Sequence, residues 1–367
     1  MILVPLLLVS CVSSVPTERS PVTVERSAAT PTPVVTLTPA AVSPPPARAA
    51  ATGTRAAFAL TQSDDPRLSD LLLHPGIDGV ALQLGWSTLE PAQGRYEWAP
   101  LDRAIDLAKA SAKQLTLHVL PTLSPPPWLA AAGVQLYSFT DFNGRQRTAP
   151  IPWDTPYLTA FGQFVAALSE HVAKRDAIGL LFNVSVAAPE SEMSLVACRN
   201  GILAPGTAVR YDRAAYLAAW KRVIDVFAAS LPASVHKYIS APVSVICGPE
   251  RDATFYPEVI DYAVGTYGAS FWAFAADLRV GGSERMRPYL DSARRSGLAY
   301  QMIWSASNDP SGRLRGTYPT NLRDAVCQGI ADGAGAIEVY AVDVLSSDPT
   351  IEDAIVAIHD ATRCPSR

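Results

Sequence analysis

The carboxylates that stand apart from the charged helical surfaces are Glu90, Glu190, Glu192, Glu338 and Asp343. Glu338 interrupts the apolar run GAIEVYAVDV (335–344). A bare buried charge is costly, so Glu338 either faces a polar site or is locked by an arginine, and both readings stand. Strand alternation puts Tyr340 on its face, and Asp343 closes the run. Glu190 and Glu192 fall in PESEM (189–193). A carboxyl there serves as a general acid only if shielding from water keeps it protonated; a solvated acidic loop is the alternative. Trp86, Trp128, Trp153, Trp272, Trp304 and Tyr340 fall at or near expected strand ends, where aromatic faces stack on the C–H faces of sugars. Each of them alone is more often a core residue than a ligand wall. His118 and Asn183 lie inside expected strands and read as hydrogen-bonded core or pocket residues. Gln83 and Glu90 either face a ligand or hold a loop together. No phosphate loop, G-x-S-x-G elbow or H-E-x-x-H pair is present.

The elements that must position these residues are clearest over 79–110. Val80–Leu84 is a short apolar run suited to a strand covered on both faces. A loop rich in Trp, Pro and Gly follows, and then a helix with Leu101, Ile105 and Ala108 on one stripe. This β-loop-α unit recurs. Strands are expected at 56–60, 80–84, 115–120, 178–186, 237–246, 269–278, 298–304 and 336–342. Helices are expected at 157–172, 213–229, 257–267, 285–295, 318–332 and 351–362, with Asp154 and Thr155 starting the first of these. Eight strands alternating with helices predict an α/β fold, a (β/α)8 barrel over 53–367, with chemistry at the C-terminal ends of its strands.

Residues 1–10 form an apolar run ending in Leu8-Val9-Ser10-Cys11, the form of a lipidation signal, with a cleaved signal peptide as the alternative. The run is too short to span a bilayer as a helix. Residues 12–52 are dominated by Pro, Ala, Thr, Val and Ser without aromatics, the composition of a disordered tether. The chain is thus expected to be exported, at the cell surface or envelope if lipidated on Cys11 and secreted otherwise, touching a membrane only through its lipid. The net charge of −4 excludes a polycationic nucleic-acid binder. Cys198, Cys247, Cys327 and Cys364 have no metal-ligand spacing, so no zinc site is expected. In an exported chain they pair as Cys198–Cys247 and Cys327–Cys364, or remain buried thiols.

WSTLEPAQGRYEWAPLD (86–102) resembles the W-x-x-x-E-P-x-x-G-x-Y-x-W/F-x-x-L-D signature of TIM-barrel glycoside hydrolases of the β-galactosidase, β-glucanase and xylanase kind. HVLPTLSPPPWL (118–129) resembles the segment that walls the sugar pocket in those enzymes. The resemblance implies a (β/α)8 barrel hydrolysing a β-linked glycan, without metal or cofactor. It implies an acid/base glutamate after the fourth strand, where Glu192 is favoured over Glu190. Substrate contacts would come from Trp86, Glu90, His118, Trp128, Asn183, Trp272, Trp304 and Tyr340. Two departures accompany it. The Asn-Glu pair usual after strand four is missing, and strand seven, AYQMIWSASNDP, carries Gln301 where a nucleophilic glutamate is expected. Glu338 on strand eight is the substitute. The rival reading is a non-catalytic barrel, a pseudo-glycosidase that binds carbohydrate or serves the envelope. Two carboxylates facing across the barrel mouth favour the enzyme; Glu338 in an ion pair favours the binder.

Overall fold

In a computed structural model of the chain, the described residues are 55–122, 124–140, 145–186, 211–240 and 254–365. Eight parallel strands form the sheet: β1 (Ala56–Gln62), β2 (Gly79–Gly85), β3 (Gln114–Leu120), β4 (Leu181–Val184), β5 (Lys237–Ser240), β6 (Phe271–Leu278), β7 (Leu298–Met302) and β8 (Ala336–Tyr340). Their hydrogen-bonded order runs β4-β3-β2-β1-β8-β7-β6-β5. The parallel bridges Asn183–His236 and Val186–Ile239 join β4 to β5 and close the ring. The expected (β/α)8 barrel is therefore present.

Two apolar clusters explain why these segments are strands. Ala56, Phe58, Leu60, Ala81, Tyr238, Phe274, Ala299 and Ala336 come from strands alone and fill the barrel interior. The alternate strand residues, such as Ala57, Val80, Leu82, Leu115 and Val339, pack outward against the helices in a second cluster. Covered on both faces, the strands are apolar throughout. Some of the helices begin where a side chain caps them. Asp154 accepts from Tyr157 N at 3.0 Å to start helix Thr155–Lys174, and Asp212 accepts from Ala215 N at 3.0 Å ahead of helix Arg213–Ser230.

Several boundaries differ from expectation. Residues 178–180 are a 3-10 turn before β4, and β5 is described only to Ser240. β6 starts at Phe271, behind a second 3-10 turn. β7 ends at Met302 and β8 at Tyr340, and a short helix, Ala341–Val344, follows β8. The helix expected at 285–295 is a 3-10 turn at Arg287–Tyr289 followed by helix Leu290–Ser296. The polar insertion around 137–152 folds as an antiparallel hairpin, Leu136–Thr140 with Gln146–Pro150. Cys327 and Cys364 form the expected disulfide, with Cα atoms 5.4 Å apart, while Cys198, Cys247 and Cys11 lie outside the described residues. Among the described residues no helix is long and apolar enough to cross a membrane.

The N-terminal floor of the barrel is built on Trp272. A Cβ placed on Gly297 or Gly335 would meet its ring at 2.7 or 2.8 Å, so the chain entering β7 and β8 has glycine at both contacts. The His236 ring lies 4.1 Å from Trp272 and 4.9 Å from Phe182. Burial, aided by the neighbouring Lys237 charge, depresses its pKa from 6.5 to about 4. In the unfolded chain His236 takes up its proton near 6.5, so acidification from 6.5 toward 4 favours unfolding, by at most about 3 kcal/mol. Urea unfolding at pH 7 and pH 4.5 checks this. The stability lost between the two should shrink in His236→Gln, and an equal loss in parent and variant would contradict the assignment.

Candidate functional site

Glu338 sits midway along β8, level with Phe58 of β1 and Gln301 of β7. Its neighbours two residues away, Ala336 and Tyr340, belong to the interior cluster, so Glu338 points into the barrel and Tyr340 shares its face as expected. The side chain is wholly enclosed, and no arginine among the described residues reaches it. Its partner is His118 of β3, whose Nε2 lies 2.8 Å from Glu338 Oε1. The other nitrogen, Nδ1, lies 2.7 Å from Ser185 Oγ. Asn183 Nδ2 donates to the same hydroxyl at 3.1 Å, and Asn183 Oδ1 accepts from the Tyr238 backbone N–H at 2.8 Å. These residues come from β3, β5, β8 and the end of β4, and only the closed barrel brings them together.

The interior also holds polar atoms without a partner. Glu338 Oε2, the Tyr238 hydroxyl and Thr116 Oγ1 are buried and meet no hydrogen-bonding group among the described residues. Burial, reinforced by the Glu338 charge, pushes the Tyr238 phenol well above its ordinary range. The Phe274 ring stacks on Tyr238 at 5.2 Å and lies 5.4 Å from His118, closing one side of the cluster. Gln301 is nearly buried beside Glu338. Toward the mouth, Tyr340 and Trp304 are half-buried with rings 6.4 Å apart, and the Arg313 guanidinium lies 4.6 Å over Trp304. Burial, with the charges of Asp343 and Glu338 partly offset by Arg313, raises the Tyr340 phenol to about 12.

Among the described residues, the carboxylates of Asp343 and Glu90 near the mouth are committed. Asp343 accepts from Ala306 N at 2.7 Å, Ser307 N at 2.9 Å and Ser307 Oγ at 2.7 Å. Glu90 accepts from Trp86 Nε1 and Gly94 N, each at 2.8 Å, while Trp128 Nε1 donates to the Glu90 carbonyl at 3.0 Å. Burial is the main cause of the raised Glu90 pKa. Glu90 thus ties its own loop together, the structural one of its two expected roles. Gln83 is half-buried and hydrogen-bonds Gln62.

Several tryptophans differ from expectation. Trp86 is fully buried against Trp128, Tyr157, Phe161 and Phe164, so it is a core pillar and presents no face to a ligand. Trp272 is at the N-terminal end of β6, opposite the mouth, because the glycines before β7 and β8 make room for it there. Trp153 packs against Tyr211 and Tyr216. Trp128, Trp304 and Tyr340 keep partial exposure near strand C-termini. Glu190 and Glu192 lie outside the described residues. Sequence reasoning passed over Ser185, although its i, i+2 spacing from Asn183 was a signal that the two share a strand face.

The β-galactosidase model of glycoside hydrolase family 42 matches residues 69–178, which hold β2, β3 and the Glu90 loop. No curated protein matches the chain. Among solved structures, the catalytic domain of β-amylase from Paenibacillus polymyxa is similar at a TM-score of 0.54 and 12% identity, covering 83% of this chain and 99% of that one. At that identity the likeness concerns the fold.

Proposed function

We propose, from the premise that the chain is a glycoside-hydrolase-like TIM barrel, that its mouth accepts a β-linked glycan and hydrolyses it with Glu192 and Glu338. The observation that carries this reading is the spare oxygen of Glu338. It is an enclosed carboxylate on the interior face of β8, with Oε1 held by His118 and Oε2 unclaimed among the described residues. A carboxylate fixed through one oxygen keeps the other aligned for a reacting carbon or water, the duty of the nucleophile or base in carboxylate-pair hydrolysis. Gln301, the strand-seven residue, is its neighbour in register, so Glu338 takes over the duty one strand along. Glu192 supplies the proton to the leaving oxygen. Trp304 and Tyr340 offer the aromatic faces on which the sugar stacks.

A specific observation favours a second reading, carbohydrate binding without cleavage. Glu338 is paired with His118 in a wholly enclosed position, and strand seven has an amide where the resembled enzymes have a carboxylate. Both readings share an exported chain anchored through a lipid on Cys11. That part rests on the Leu8–Cys11 segment and on the Pro- and Ala-rich tether behind it.

Turnover of a panel of aryl β-glycosides and β-glucans decides between the readings. The hydrolase reading expects parent activity that falls about 10²–10⁴-fold in both Glu192→Gln and Glu338→Gln. A folded parent that binds glycans without turnover supports the binder, and a folded parent that does neither contradicts both. For the anchor, Cys11→Ser should move the chain from the membrane fraction to the soluble fraction of its host. A variant that stays membrane-bound would contradict lipidation at Cys11.

A further inference from the structure

The hydrogen bonds around His118 form a chain whose direction is set from its two ends. A backbone N–H only donates, so the Tyr238 N–H at 2.8 Å fixes the Asn183 amide with its oxygen toward Tyr238. The Asn183 nitrogen must then donate to Ser185 Oγ, at 3.1 Å. At the other end a carboxylate only accepts, so His118 Nε2–H donates to Glu338 Oε1, at 2.8 Å. In the neutral ring Nδ1 is then the acceptor, and the Ser185 hydroxyl, which accepts from Asn183, donates to it at 2.7 Å. A hydroxyl on an imidazole acceptor, with the opposite ring nitrogen oriented by a carboxylate, is the arrangement that activates a serine nucleophile. It stands at the end of β4, on the catalytic side of a barrel of this type.

We infer that Ser185, His118 and Glu338 form a nucleophilic relay, and that this barrel cleaves short-chain carboxylic esters through an acyl-Ser185 intermediate. Ser185 Oγ forms a bond to the ester carbonyl carbon while its proton passes to His118 Nδ1. Glu338 Oε1 stabilises the imidazolium through Nε2–H, and the Asn183 amide is the neighbouring donor for the developing oxyanion. Collapse breaks the ester C–O bond, and His118 returns the proton to the departing alcohol. Water then attacks the acyl carbon with His118 taking its proton, and the carboxylic acid leaves as Ser185 recovers its hydrogen. Ser185 is only 1% exposed, so only small esters are expected to reach it. The relay uses Oε1 of Glu338, whereas glycoside cleavage would use Oε2, so it does not rest on the hydrolase reading above.

The full chain, incubated with a small fluorophosphonate and with p-nitrophenyl acetate, tests the inference. The expected result is one covalent adduct, mapped to Ser185 by peptide mass spectrometry, and turnover of the acetate ester. Ser185→Ala should abolish the adduct, and His118→Asn should slow ester turnover about 10²–10⁴-fold while near-ultraviolet circular dichroism stays unchanged. An adduct on another residue, or a folded parent that takes no label and leaves the ester intact, would overturn it. The parent's own labelling decides the matter even if a variant fails to fold. Loss of β-glycoside turnover has no bearing on this outcome, because the ester assay uses neither Glu192 nor a glycan.

Discussion

The contact on which the interior depends is the hydrogen bond from His118 to Glu338. It joins residues 220 positions apart, and in the sheet β1 and β2 stand between the strands that carry them, so the bond crosses the lumen. Placing a carboxylate in a barrel core costs several kcal/mol unless other groups meet it. The chain from Tyr238 N through Asn183 and Ser185 to His118 does this with neutral donors passed hand to hand, so no arginine is needed. Removing one member leaves the next without its partner, and low local polarity makes each such loss expensive.

The floor and the mouth of the barrel do different work around this core. At the floor, Trp272 and the glycines at 297 and 335 are a packing solution, with His236 wedged against the indole. At the mouth, the loops carrying Glu90 and Asp343 consume their own carboxylates in backbone hydrogen bonds, which stiffens the rim. Glu338 alone, among the described carboxylates facing the interior, has one oxygen engaged and the other spare. That division leaves one oxygen orienting an imidazole and the other free for the glycan of the proposed function.

Much of the scaffold was legible in the sequence. Apolar runs doubly covered in a parallel sheet mark strands, and capping residues such as Asp154 mark helix starts. The shared face of Glu338 and Tyr340 followed from alternation alone. The partner of Glu338 did not: a polar site and an arginine were both left open, and His118 stands there. Which residues meet across a lumen depends on strand tilt and closure, which no local period encodes. Trp86 and Trp272 differ from expectation for a related reason: composition near a strand reveals neither its end nor its face. Trp86 went into the core and Trp272 to the floor. Ser185 escaped notice because a lone serine in a strand carries no signal until an imidazole is placed against it.

The hydrogen bonds around His118 thus run in one direction, with the His118 proton on Nε2 and Ser185 donating to Nδ1. A long-range nitrogen–proton correlation spectrum of the histidine rings at neutral pH, with His118 assigned by comparison with His118→Asn, reads the tautomer directly. The account expects a protonated Nε2 and a bare Nδ1 for His118, with both signals shifting in Ser185→Ala and Glu338→Gln. A proton residing on Nδ1, or a ring indifferent to both substitutions, would contradict it.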